Sequence, residues 1–112
     1  MVRKKYIPER GDIVWLNFTP QAGHEQRGKR PAIVVSPKEY NEKTGLGLFC
    51  PITSKIKGYP FEVEIKNKKI TGVVLSDQIK SLDWRIREAE FIIKETTEKM
   101  DEIIDKISVL LY

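Results

Sequence analysis

The sequence pattern predicts a mainly β domain: a small, strongly bent antiparallel barrel with a C-terminal α-helix. Three observations predict it. Short runs of β-branched and aromatic residues recur through the first 94 positions, glycine, proline and polar clusters separate them, and the tail switches to apolar residues at helical spacing. At 112 residues the chain is expected to form a single domain over 1–112.

Each element has a local reason. Residues 12–18 (Asp-Ile-Val-Trp-Leu-Asn-Phe) lie between Gly11 and Pro20 and read as a strand buried on much of both faces. Residues 21–29 are polar, contain glycine and show no periodicity, so they form a loop, long for so small a domain and of a kind that more often serves function than connection. Residues 31–36 make a second strand with Pro31 first, where a missing N–H is tolerated. A short helical turn over 37–44, closed by Gly45, leads to a third strand over 46–52 and a second polar loop over 53–60. Residues 61–65 alternate apolar with acidic, as a half-solvated strand does, and Asn67-Lys-Lys69 turns the chain into a partner strand over 70–76. Residues 91–93 make a last short strand. In the tail, Met100, Ile103, Ile104, Ile107, Leu110 and Leu111 share one helix face, with Thr96 or Thr97 as N-cap.

Composition excludes several chemistries. One cysteine, Cys50, permits no intrachain disulfide and sits in an apolar run where a buried, inert thiol is expected. One histidine, His24, allows neither a His/Cys metal site nor paired-histidine catalysis, so no metal or other cofactor is expected. No apolar run approaches the roughly 20 residues that span a bilayer, and no apolar stretch follows the basic N-terminus, so a cytoplasmic protein is expected. The formal charge of +4 is uneven. Residues 95–112 hold two lysines against five carboxylates, which leaves 18 basic and 11 acidic side chains over 1–94. A body with net charge +7 suits a polyanionic partner, nucleic acid first, or serves only solubility.

Cutting RNA without a metal needs a base for the 2′-OH proton, a positive group for the crowded phosphorane and an acid for the departing 5′-oxygen. The first polar loop holds Glu25 and leads into Arg30, with Arg27 and Lys29 between them. Glu25 is the better base, since arginine stays protonated, and Arg30 the better charge stabiliser. Thr53 opens the next polar loop and can donate to a phosphate oxygen. From residue type alone, catalysis, phosphate contact without chemistry and surface ion pairs all stay open. Phe18, Tyr59 and Phe61 border the loops, near Lys55, Lys57 and Lys80, which is how single-stranded RNA is stacked and neutralised. Plain core packing is the competing reading and is expected for at least two of Trp15, Phe18 and Phe61.

Gly11-Asp-Ile-Val-Trp15, Glu25-Gln-Arg-Gly-Lys-Arg-Pro-Ala-Ile-Val-Val-Ser-Pro37 and Pro51-Ile-Thr53, in this order and spacing, resemble the MazF/PemK toxin family. Lys57-Gly-Tyr-Pro-Phe-Glu-Val63, Leu75-Ser-Asp-Gln-Ile-Lys-Ser81 and Trp84-Arg85 continue the resemblance over residues 6–112. It implies an SH3-like barrel, a homodimer, and sequence-selective, metal-independent cleavage of single-stranded RNA to 2′,3′-cyclic phosphate and 5′-hydroxyl ends. It also implies a cognate antitoxin whose acidic segment covers the RNA site. By position, Arg30 and Thr53 match the family's active-site pair, Glu25 the acidic residue beside them, and Lys80 a residue that holds substrate. The two loops would shape the choice of RNA sequence, with Gln26, Lys57, Tyr59 and Phe18 as expected substrate contacts. Gyrase-poisoning toxins use the same barrel but depend on a Trp-Gly-Ile ending, whereas this chain ends Val109-Leu-Leu-Tyr112. A non-catalytic RNA-binding module is the remaining alternative.

Overall fold

The computed structural model describes residues 5–18 and 28–112. In chain order these form β1 (Asp12–Asn17), β2 (Lys29–Val34), α1 (Lys38–Thr44), β3 (Leu46–Thr53), β4 (Glu62–Lys66) and β5 (Thr71–Leu75), then β6 (Lys80–Asp83), β7 (Glu90–Lys94) and α2 (Thr97–Leu111). A 3-10 turn, Ser76–Gln78, joins β5 to β6. Gly45 ends α1 at φ 74 with its N–H bonded to the Asn41 carbonyl. Asn67 shapes the β4–β5 turn, its Oδ1 accepting from Lys69 N and Ile70 N, both at 2.9 Å. Thr96 caps α2, accepting from Lys99 N at 3.3 Å.

All strand pairs are antiparallel, in the order β4-β5-β3-β2-β1-β7. β3 is long enough to serve two partners, β6 over Leu46–Phe49 and β5 at Ile52 and Thr53. The strand over 80–83 was not expected from the sequence. It mixes lysine, serine and aspartate with a single leucine, and only its pairing to β3 defines it. The strongly bent antiparallel sheet with its C-terminal helix is the fold expected, curled here into a half-barrel: among the described residues the outer strands β4 and β7 do not pair. Met100, Ile103 and Ile107 of α2 are buried against the sheet instead of a closing strand pair.

The central strands bury both faces, as expected for residues 12–18. Ile13, Ile33, Cys50, Ile52, Val63 and Ile65 face α2. Val14, Leu16, Ala32, Val34 and Phe49 meet Trp84 on the other side. Polar residues mark the strand ends. The Asp12 carboxylate is buried, accepting from Tyr6 Oη at 2.5 Å and Glu9 N at 3.0 Å and pairing with Lys94 Nζ at 2.8 Å. Asn41 is fully buried in α1; its Nδ2 donates to Pro8 O at 2.8 Å and Ser36 O at 3.1 Å, and its Oδ1 accepts from Ser36 Oγ at 2.6 Å. Trp84 Nε1 donates to Asn41 O at 3.0 Å, while Ser36 Oγ accepts from Leu48 N at 2.8 Å. This network ties α1 to three separate segments.

The expectation of two core aromatics is corrected. Phe18 packs against the Trp84 cluster, but Trp15 is 38% exposed and Phe61 is half-buried outside both clusters. Trp15 alternates with Val14 and Leu16, so it faces away from the Trp84 cluster, and it is not part of the cluster packed on α2. The helical stripe is likewise buried only in part, since Leu110 and Leu111 are 50% and 73% exposed.

Candidate active site

Arg30 and Thr53 sit 23 positions apart in sequence, and strand register brings them together. The β2–β3 ladder pairs Ala32 with Pro51. Continuing it by one residue of the same face places Arg30 opposite Thr53, and both line one cleft of about 590 Å³. Arg30 therefore belongs to β2, opposite Leu16 of β1, and not to the preceding loop. β5 lies close on the other flank: a Cβ on Gly72 would stand 2.5 Å from the Thr53 carbonyl oxygen, so only glycine lets the strand approach there.

The Thr53 hydroxyl is oriented locally. Its Oγ1 accepts from Lys55 N at 3.1 Å, which leaves its proton available to donate. Lys55, Lys69 and Thr71 complete the polar wall, and among the described residues no carboxylate lines this cleft. Lys69 and Thr71 were missed from the sequence, because only the fold of the β4–β5 hairpin over the end of β3 brings them to Thr53.

A smaller cleft of about 170 Å³ adjoins it, sharing Thr53 and Lys55 and adding Lys57 and Tyr59. The second polar loop is well anchored. Glu62 accepts from Lys57 N at 2.9 Å and Gly58 N at 2.8 Å, and Lys106 of α2 donates to Pro60 O at 2.6 Å. Tyr59 Oη donates to Asp77 Oδ1 at 2.7 Å, and this hydrogen bond holds the phenol above its ordinary pKa. The Asp77 carboxylate thus holds the Tyr59 ring in place at the rim of this cleft.

Two expected substrate contacts stand elsewhere. Lys80 is exposed, pairs with Phe49, and lines neither cleft; Thr53 lies four residues further along β3, roughly 13 Å away. Phe18 is half-buried against the core and donates its N–H to Gly28 O at 2.8 Å, joining the feet of the first loop. Glu25 and Gln26 lie outside the described residues, as do His24 and Arg27. Cys50 is buried, and desolvation pushes its thiol up to about 12, so it is no nucleophile. Another cleft, about 790 Å³, lies between α1 and the start of α2 and mixes both charges, with Glu9 held below its usual pKa by its hydrogen bond to Lys94.

A cleft of cations and hydroxyls on an open half-barrel defines a polyanion-handling protein on a small β scaffold. The model for the PemK-like, MazF-like toxin of type II toxin-antitoxin system matches residues 9–111. The chain is 46% identical over 107 residues to the endoribonuclease toxin MazF of Escherichia coli strain K12, covering 96% of each chain. It is 32% identical over 116 residues to the endoribonuclease PemK of Escherichia coli, covering 99% of this chain and 87% of that one. Among solved structures, it is similar to MazE-MazF from Deinococcus radiodurans at a TM-score of 0.85 and 44% identity, covering 96% of this chain and 97% of the other. The chain belongs to the PemK-like, MazF-like family of type II toxins.

Proposed function

We propose that this toxin is an endoribonuclease that cuts single-stranded RNA at selected sequences without a metal ion, stopping translation and growth. The observation that supports it most is the juxtaposition of Arg30 and Thr53 in one cationic cleft. Several relatives are named endoribonucleases, and the motif resemblance implies an active-site pair at Arg30 and Thr53. In the reaction, Glu25 takes the 2′-OH proton, the 2′-oxygen attacks phosphorus, and the P–O5′ bond breaks as the 5′-oxygen gains a proton. Arg30 and Thr53 stabilise the charge on the phosphorane oxygens in between. The products are a 2′,3′-cyclic phosphate and a 5′-hydroxyl. Lys57, Tyr59, Gln26, Phe18 and Lys80 would contact the rest of the strand, Lys80 further from the Arg30–Thr53 cleft than Tyr59.

Purified protein incubated with a long mixed-sequence RNA in excess EDTA should cut it and yield those ends, while DNA of the same sequence stays whole. Dependence on added divalent metal, or cleavage of the DNA, would overturn the mechanism.

The active form is proposed to be a cytoplasmic homodimer. The exposed Leu110 and Leu111 at the end of α2 supply apolar surface for a second copy, and a symmetric pair is the commonest assembly. Light scattering at micromolar concentration should report a dimer; a monomer would contradict this. An antitoxin with an acidic segment is proposed to lie across the cleft, with binding that weakens as salt rises. The Deinococcus radiodurans MazE-MazF structures supply the precedent for a toxin–antitoxin complex.

A further inference from the structure

We propose that Lys69, at the tip of the β4–β5 hairpin, is a substrate-positioning residue that holds the phosphodiester next along the RNA from the one being cut. The inference rests on the endoribonuclease reading above. Arg30 and Lys69 line the same cleft from opposite banks, with Thr53 of β3 between them. In the sheet, β2 and β5 flank β3, and Lys69 lies in the turn just before β5, so the two banks are at least two strand spacings apart, roughly 10 Å or more at the backbone. That is wide for one phosphate and suits successive groups of a single strand.

The hairpin is built to hold such a charge in place. The Asn67 carboxamide fixes the turn through Lys69 N and Ile70 N, and its Nδ2 donates to Glu95 Oε1 at 3.2 Å, tying the turn to the segment before α2. Lys29 and Lys94 are paired with carboxylates, at 2.7 Å and 2.8–2.9 Å. Among the described residues, Lys69 makes no such pair within 4.0 Å, and no carboxylate lines its cleft. Its neighbour Lys68 is also exposed but does not line the cleft. Lys68 therefore supplies an internal control with the same change in net charge.

The test uses the full-length protein and a short RNA of the cleaved sequence. Lys69→Ala should raise KM about tenfold with kcat within about twofold of the wild type, and Lys69→Arg should restore KM. Binding is read separately with the same oligonucleotide carrying a 2′-deoxy nucleotide at the cut. There the slope of log affinity against log salt should shrink by about 0.7 in Lys69→Ala, the value for one phosphate contact on a single strand. Lys68→Ala should match the wild type in both assays. Equal effects of Lys68→Ala and Lys69→Ala, or an unchanged salt slope in Lys69→Ala, would overturn the proposal. Failure of the wild-type protein to cut RNA would overturn the endoribonuclease reading instead, while the binding slopes would still decide whether Lys69 holds a phosphate.

Discussion

Arg30→Ala should leave a folded protein that hardly cuts RNA. Arg30 is held by backbone pairing with Leu16, and its side chain lines the cleft that Thr53 shares. Charge on the phosphorane oxygens peaks in the transition state, and a fixed donor aimed there acts without reorganising. Removing one such donor typically costs about 10²–10³ in rate. The substitution removes no core contact, since the residue is exposed, so the thermal transition should stay within a few degrees of the wild type. RNA binding should weaken only modestly, because Lys55 and Lys69 remain. The checks are single-turnover cleavage beside thermal melting. Cleavage at the wild-type rate would remove Arg30 from the mechanism, and unfolding would make it a structural residue.

The largest effect on stability is expected at Asn41. Asn41→Ala strips partners from the Pro8 carbonyl, the Ser36 carbonyl and the Ser36 hydroxyl at once. A buried polar group left without its partner costs about 1–3 kcal/mol, and entering water relieves part of the total, so a loss of about 3–5 kcal/mol is expected. That is a large share of the 5–15 kcal/mol of a typical domain, so the urea midpoint should fall sharply. Asn41→Asp should not rescue it, since a carboxylate cannot donate to the two carbonyls. A loss of less than about 1 kcal/mol, read from the midpoint and slope, would show that the network is dispensable.

Most elements were legible because their causes are local. Gly45 stops α1, Asn67 makes its turn and Thr96 caps α2, each through bonds to residues within four positions. The alternation of 61–65 showed which side of β4 is wet. β6 was not legible, since its four residues have neither alternation nor strand propensity and depend on β3. Nor was the open edge of the sheet, because periodicity says which face is buried and not whether the outer strands meet. In the candidate site, Arg30 and Thr53 were singled out through family resemblance, and the β2–β3 register is the physical reason that they share a cleft. Lys69 had no signal in its own neighbourhood, as only the hairpin's place in three dimensions recruits it. Lys80 shows the reverse, a basic residue near the right motifs in sequence that β6 leaves beside Phe49.

Burial of β1 and β2 on both faces changes what keeps them in alignment. In a sheet with one wet face, slipping a strand by one residue exposes its whole apolar set, and that penalty enforces the pairing. Here a one-residue slip of β1 would send Ile13 toward the Trp84 side and Val14 toward α2, exchanging one oily compartment for the other. The penalty falls instead on polar anchors. Asp12 would leave the Tyr6 hydroxyl and the Lys94 ammonium, and Asn17 would lose the bond from its N–H to the Arg87 carbonyl and the one its carbonyl accepts from the Arg87 guanidinium. Apolar residues of similar volume can therefore be swapped along these strands with little risk of misalignment. Neutralising Asp12 removes one of the few marks that distinguish the native pairing of β1 from its neighbours.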